Sequence, residues 1–158
     1  MAIIRIETDI AAPPAVCFDL ARNVDAHVAS TSATGERAVA GVRTGLLNLG
    51  DEVTWRARHF GVTQELTSRI TAFDRPNYFR DEMVRGVFAR LVHDHHFETI
   101  PAGTRMVDVF DFSAPLGLLG VLAERVFLTA YLSSFLKTRT QMLKRMAESD
   151  DAAGAAIR

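Results

Sequence analysis

The chain has few residues that could cross-link it or anchor it in a membrane. Cys17 is its one cysteine among 158 residues, so no disulfide can form within the chain and nothing indicates an oxidising compartment. The most apolar run, Pro115–Ala123, is far shorter than the roughly 20 residues that a membrane-spanning helix needs. The N-terminal residues lack the basic and apolar regions of a signal peptide. We expect a cytoplasmic protein without stable membrane insertion.

An excess of charge of either sign is also absent. The 18 Lys and Arg residues nearly balance the 19 Asp and Glu residues, which leaves a net charge of −1. Without a broad basic field the chain is not suited to binding phosphate backbones, so we expect no nucleic-acid partner. Its length suits one domain, predicted over residues 1–148, which can bury roughly two-thirds of its unfolded surface. The Ala-rich residues 149–158 are predicted to form a flexible tail.

The first part of the chain predicts a strand followed by two short helices. Residues 3–10 alternate between apolar and polar side chains, as a half-buried strand does. Pro13 and Pro14 end this strand, and proline is well suited to the first turn of a helix. Apolar spacing then predicts helices at about 14–22 and 24–29.

From Glu36 onward the pattern predicts an antiparallel meander followed by a long helix. Regular turn signals separate six predicted strands, at 36–42, 51–60, 62–73, 78–84, 88–98 and 104–113. Leu118–Glu148 reads as one helix, roughly 45 Å long, with an apolar stripe that predicts burial of its first half. Lys137, Arg139 and their basic neighbours are predicted to lie in solvent near its end. A helix of this length needs a large partner, which predicts an α+β fold with a curved six- or seven-stranded sheet wrapped around it.

Strand alternation predicts which side chains face the space between sheet and helix. A two-residue turn at Phe60-Gly61 places Trp55 opposite Leu66, and a three-residue loop at Gly86 puts Asp81 on one face with the two histidines of His-x-His. The result is an apolar pocket with a few polar groups, for which His59 is a further candidate. The predicted ligand-binding residues are Trp55, Leu66, Phe79, Asp81, Leu91, His93, His95, Phe97, Asp108, Phe110, Leu122 and Val126.

Three interpretations of the polar cluster stay open at this point. His93 and His95 could be structural residues whose ring nitrogens are hydrogen-bonded to Asp108 and Asp81. They could orient the polar end of a ligand, or act in catalysis, with Asp108 fixing the tautomer of a histidine base. A metal would need Asp108 or Asp81 as a third ligand beside His-x-His. Because no further histidine pair or cysteine cluster accompanies this motif, we expect no metal and no cofactor. Cys17 is predicted to be a core residue.

Several stretches of the chain resemble one superfamily. They include Glu36–Gly41, Thr54–Gly61, Ile70–Pro76, His93–Glu98 and Ala114–Gly117. These stretches are similar to the START, polyketide-cyclase and birch-pollen-allergen superfamily (SRPBCC), and within it to bacterial cyclase/dehydrase-like proteins. The resemblance covers residues 1 to about 148 and implies a helix-grip fold that encloses a ligand cavity. It says little about the reaction, because members of one fold bind or transform unrelated compounds.

The leading hypothesis is binding of a hydrophobic or amphipathic small molecule between the sheet and the C-terminal helix. Its entrance is predicted at the loop 44–50 and the corner Pro115–Gly120. One alternative is a cyclase or dehydratase that uses His93 or His95 with Asp108; the sequence favours a binder over an enzyme. A second alternative is a protein-interaction module that uses the apolar tip Leu46–Leu49. Whether the chain forms a homodimer stays open.

Overall fold

The structure, a computed structural model, describes residues 1–149, apart from the side chains of residues 120, 121, 124 and 125. Residues 150–158, nearly all of the predicted tail, lie outside the described residues. The strands are β1 Ala2–Ile10, β2 Arg37–Gly41, β3 Glu52–His59, β4 Val62–Asp74, β5 Tyr78–Arg85, β6 Arg90–Ile100 and β7 Gly103–Ser113. The helices are α1 Pro14–Ala21, α2 Val24–Ser30, a 3₁₀ turn Ser32–Thr34, α3 Gly117–Ala123, a π segment Glu124–Leu128 and α4 Thr129–Ala147.

All seven strands form one curved antiparallel sheet in the order β1-β7-β6-β5-β4-β3-β2. The predicted α+β helix-grip architecture is therefore confirmed. Trp55 pairs with Leu66 across β3 and β4, as the two-residue turn predicts. Phe79 pairs with His95 and Asp81 with His93 across β5 and β6, which confirms the predicted face of this hairpin. The predicted three-residue loop at Gly86 is wrong, because residues 86–89 separate the two strands. This register places the polar cluster on the inner face of the sheet.

Local sequence explains the corner between β1 and the two short helices. Pro13 stands before α1 and Pro14 opens it, where a missing backbone N–H costs nothing. At α2, the Asn23 side chain accepts a hydrogen bond of 3.0 Å from the backbone N–H of Ala26, which satisfies a donor that the helix leaves free. Both helices pack against α4, so they close one end of the space beneath the sheet.

The predicted C-terminal helix is helical from Gly117 to Ala147, but most of the described side chains in its first part are exposed. Leu118 is 90% exposed, Leu122 61% and Val126 73%, which corrects the expected burial of this part. Burial on the helix begins at Leu132. α4 packs on β1, α1 and α2, whereas α3 makes its main contacts with the π segment. An apolar stripe shows which face of a helix can be buried, but it does not show whether another element lies opposite that face.

The core lies on both sides of the space between sheet and helix. On the side of α1, Phe18 is fully buried and makes edge-to-face contacts with Phe73, Phe79 and Phe97. Such contacts add roughly 0.5–1.5 kcal/mol each to the free energy of unfolding beyond area burial. Cys17 is 3% exposed in this same cluster, as predicted. A second packed region joins β1, β6 and β7 to α4 and contains Ile4, Ile6, Leu91, Phe110, Phe112, Leu132 and Leu136. A cavity lies between the two regions.

Candidate functional site

A cavity of about 330 Å³ lies between the inner face of β3–β7 and the buried side of α4. This volume falls within the range of small-molecule sites, which are mostly apolar with a few well-placed polar groups. Of the twelve predicted ligand-binding residues, eight line the cavity. They are Trp55, Leu66, Phe79, Asp81, Leu91, His93, His95 and Phe110.

The other four predicted residues do not line the cavity. Phe97 and Asp108 are 3% and 2% exposed and do not line the cavity. Phe97 packs against Phe79 and Asp108 against His95, and both of these partners are lining residues. Leu122 and Val126 point into solvent, so their placement in the cavity is wrong. Both belong to the part of the C-terminal helix that the sheet does not cover. The helix wall is formed instead by Leu132, Phe135 and Leu136 of α4.

Two histidines and two aspartates form a buried cluster on the cavity floor. Asp81 pairs with His93, and His95 with Asp108, in the strand ladders. Nδ1 of His95 lies 2.6 Å from Oδ1 of Asp108, and Nε2 of His95 lies 3.1 Å from Oδ2 of Asp81. His93 sits beside it at 3.8 Å between ring centroids. Both imidazoles therefore stand between one carboxylate on the cavity side and one behind the wall.

The environment of the cluster separates the pKa values of the two histidines. Burial opposes charge on His95, but its hydrogen bonds to Asp108 and Asp81 raise the pKa of His95. Burial and the neighbouring His95 lower the pKa of His93. Although burial disfavours their charge as well, the hydrogen bonds and charges of the histidines lower the pKa of Asp81 and Asp108. These opposite shifts favour the charged form of His95 between the two carboxylates and the neutral form of His93.

A second polar group lies on the α2 and α4 side of the cavity. Nε2 of His27 lies 3.1 Å from Oε1 of Glu36, and the His27 ring stacks on Trp55 at 4.0 Å. Burial opposes charge on Glu36, but the neighbouring His27 ring and the charge of Arg139 lower the pKa of Glu36. Nearer the opening, Nδ1 of His59 lies 2.7 Å from the Tyr131 hydroxyl.

Arg139 is a buried cation on the wall of this cavity. It is 5% exposed, and its guanidinium makes one weak hydrogen bond, 3.4 Å from Nη2 to the Ala21 carbonyl, within the described part of the chain. Its Nε has no hydrogen-bond partner among those residues. The predicted solvation of Arg139 is therefore wrong. Spacing could have revealed its position, because residue 139 follows Leu132 by seven and Leu136 by three, which places it on the buried face.

The two predicted parts of the entrance differ in the structure. In the loop 44–50, Leu47 is 7% exposed and lines the cavity, and hydrogen bonds in both directions join its backbone to Arg22. This loop therefore forms part of the wall through Leu47, while Leu46 and Leu49 at its tip are 41% and 61% exposed. Exposed lining residues lie instead at Phe60, Val87 and Pro115, which places the opening beside the predicted corner.

The geometry above agrees with comparisons between this chain and known proteins. Residues 1–148 match the family described as "Polyketide cyclase / dehydrase and lipid transport". The chain belongs to this family. No curated protein matches it. Within residues 1–149, no helix is both long enough and apolar enough to cross a membrane.

Solved structures with low sequence identity share the fold. TTHA0849 of Thermus thermophilus is 20% identical with a TM-score of 0.73, covering 91% of this chain and 95% of that one. CV1439 of Chromobacterium violaceum is 12% identical with a TM-score of 0.72, covering 94% and 98%. The major latex-like protein 151 of Panax ginseng is 18% identical with a TM-score of 0.68, covering 92% and 97%. These relationships place the chain in the SRPBCC superfamily predicted from its sequence.

Proposed function

We propose that the protein binds an amphipathic small molecule, with its apolar body in the cavity and an anionic group against Arg139. The observation that carries this proposal is a cavity of about 330 Å³ with largely apolar walls and a buried guanidinium on one of them. Apolar surface removed from water contributes about 25 cal/mol per Å² before the costs of ordering. Trp55, Leu66, Phe110 and Leu136 supply such surface around the ligand body.

The unsatisfied donors of Arg139 favour an anionic group on the ligand over a neutral one. A buried guanidinium carries five N–H donors, and the described residues leave most of them without a strong acceptor. Burying polar donors without acceptors costs free energy that a ligand carboxylate can recover. Asp81 and Glu36 balance its charge through space, but the structure gives neither of them a hydrogen bond to Arg139. A carboxylate in the cavity could accept two parallel bonds from the planar guanidinium.

Titration of the untagged chain with dodecanoate tests the binding itself. We expect saturable binding with a rise in melting temperature, because a ligand that binds the native state alone adds about 2.7 kcal/mol at a concentration of 100 Kd. Ala57→Phe should abolish binding, since Ala57 is 8% exposed and lines the cavity. Ala40→Phe is the matched control, at an exposed strand position outside the lining. Equal affinity in wild type and Ala57→Phe would place the binding elsewhere.

A comparison of dodecanoate with dodecanol tests the anionic group. A hydrogen bond to a charged group contributes about 1.5–3 kcal/mol, which is roughly tenfold to 150-fold in affinity. Arg139→Met should weaken dodecanoate binding within that range and leave dodecanol nearly unchanged. Lys137→Met is the control, because Lys137 is exposed on the same helix. Equal losses for both ligands would assign Arg139 a packing role.

A second candidate function is cyclase- or dehydratase-like catalysis with the histidine cluster. His93 lines the cavity, and the lowered pKa keeps its ring neutral near pH 7, as a general base requires. Asp108 would act as a positioning residue through His95. If this candidate holds, His93→Gln should remove turnover of a poly-β-ketone thioester while dodecanoate affinity stays within about twofold. Absence of turnover in the wild type, or equal turnover in His93→Gln, would reject it.

A further inference from the structure

We infer that Asp81, His93 and His95 form a binding site for one divalent transition-metal ion, with open coordination positions that face the cavity. The three residues each offer one ligand atom, and these atoms lie within 4.8 Å of one another. Two imidazoles and one carboxylate suit Zn²⁺ or Co²⁺. This site does not depend on an amphipathic ligand, so it goes beyond the function proposed above.

The distances between the ligand atoms fit one metal ion bound on the cavity side of the cluster. Oδ2 of Asp81 lies 3.1 Å from Nε2 of His95 and 4.0 Å from Nδ1 of His93. A tetrahedral ion with bonds of about 2.0–2.1 Å holds its ligand atoms roughly 3.3 Å apart. The two measured separations bracket that value, so small side-chain rotations would complete the site. A metal ion on Nε2 of His95 would take the place of a proton there, so that two metal bonds would replace the contact between this nitrogen and Oδ2 of Asp81.

Asp108 lies where many metal sites have a carboxylate that does not touch the metal but accepts a hydrogen bond from a histidine ligand. Histidines that bind a metal usually donate their other ring N–H to a carboxylate, which fixes the ring and its tautomer. Oδ1 of Asp108 lies 2.6 Å from Nδ1 of His95 and 3.3 Å from Nε2 of His93, the nitrogens opposite those that face Asp81. Nε2 of His93 is buried without a hydrogen bond to any described residue. A metal ion on Nδ1 of His93 would fix the ring proton on Nε2 of His93 and direct it at Asp108.

The cavity provides both access and free coordination positions. Asp81, His93 and His95 all line the cavity, whereas Asp108 does not. Three protein ligands with open positions are typical of metal sites that bind a substrate or water, while structural zinc sites are closed by four protein ligands. A ligand or water molecule in the cavity could therefore complete the coordination. The strands β5 and β6 hold the three residues in place through their ladder.

Titration of the untagged, chelator-treated chain with Co²⁺ tests the site. We expect one ion per chain, with the intense visible absorption of low-coordinate Co²⁺, and displacement by Zn²⁺ with a rise in melting temperature. Less than one ion per chain at saturation, or the weak spectrum of octahedral, water-bound Co²⁺, would overturn the inference. Because this measurement uses the wild-type protein, it decides the question even if a variant fails to fold.

Variants of the proposed metal ligands and of Asp108 then test which side chains hold the metal ion. Asp81→Asn keeps the side-chain volume and should weaken Co²⁺ binding at least about tenfold, as should His95→Gln, while Asp108→Asn should weaken it about tenfold to 100-fold. His96→Gln is the matched control, because His96 is the next residue on β6 and stacks on Tyr78 away from the cluster. Unchanged affinity in folded Asp81→Asn, or an equal loss in His96→Gln, would overturn the assignment.

Discussion

Nδ1 of His95 and Oδ1 of Asp108 lie 2.6 Å apart, and both side chains are 2% exposed. The two residues face each other across β6 and β7, so the sheet register itself brings them together. A buried charge is tolerated only when it is paired and hydrogen-bonded. The pair therefore links the sheet register to the candidate site, because the Asp108 carboxylate raises the pKa of His95 and also orients its ring at the cavity floor.

Removal of Asp108 should be strongly destabilising. Asp108→Ala leaves His95 buried with one of its two carboxylate partners missing, and breaking a buried pair in this way costs about 3–5 kcal/mol. Asp111→Ala on the same strand is the control. It removes the ion pair with Arg90, whose side chain is half exposed, and should cost less than about 1 kcal/mol. Urea unfolding of both variants measures the two values, and equal costs would contradict the assigned role of Asp108.

Glu36 predicts a specific pH dependence of stability. Its pKa in the folded chain is lowered from the usual 4.5, so its carboxylate favours the native state above that pH. This contribution should be lost as the pH falls below about 4.5 through the folded-state value. The stability difference between wild type and Glu36→Gln should therefore be larger at pH 7 than at pH 4, as measured by urea unfolding. A difference that stays constant or grows on acidification would contradict this prediction.

Two glycines with positive φ should respond differently to substitution. A Cβ on Gly103 would lie 2.3 Å from the Ile10 carbonyl oxygen, with φ at +140°, so Gly103→Ala should cost at least about 3 kcal/mol. Gly61 has φ at +73° with nothing within 4 Å of an added Cβ. Gly61→Ala should therefore cost only the left-handed strain, about 1 kcal/mol. Similar melting temperatures for the two variants would show that the approach of β7 to residues 10–12 is looser than described.

A pair of leucine substitutions tests where the C-terminal helix is covered. Leu143 is 3% exposed in the core, so Leu143→Ala should cost about 2–5 kcal/mol. Leu122 is 61% exposed, so Leu122→Ala should change stability by no more than about 0.5 kcal/mol. Thermal unfolding of both variants measures the contrast. A large loss in Leu122→Ala would show that the first part of the helix packs against something in solution.

The sequence was sufficient for the fold because its signals were local and mutually consistent. The turn at Phe60-Gly61 set the pairing of Trp55 with Leu66, and a one-residue slip would have moved every side chain to the other face. The same alternation placed Asp81, His93 and His95 together on the cavity wall.

The errors concern contacts between elements that are distant in the sequence. Leu122 and Val126 fit an apolar stripe, but the sheet does not cover that part of the helix. Arg139 was predicted to be solvated because basic residues near a helix end normally are, although its spacing follows the buried leucines. The Glu36–His27 pair joins two elements that no local pattern connects. Periodicity predicts the face of a residue but not the side chain that lies opposite.

Native mass spectrometry of the untagged chain, after incubation with dodecanoate, tests the central claim most directly. The cavity between the sheet and α4 predicts one bound molecule per wild-type chain, and the bare chain mass for Ala57→Phe. A wild-type protein that retains only its bare mass would contradict the account, as would a complex that survives in Ala57→Phe.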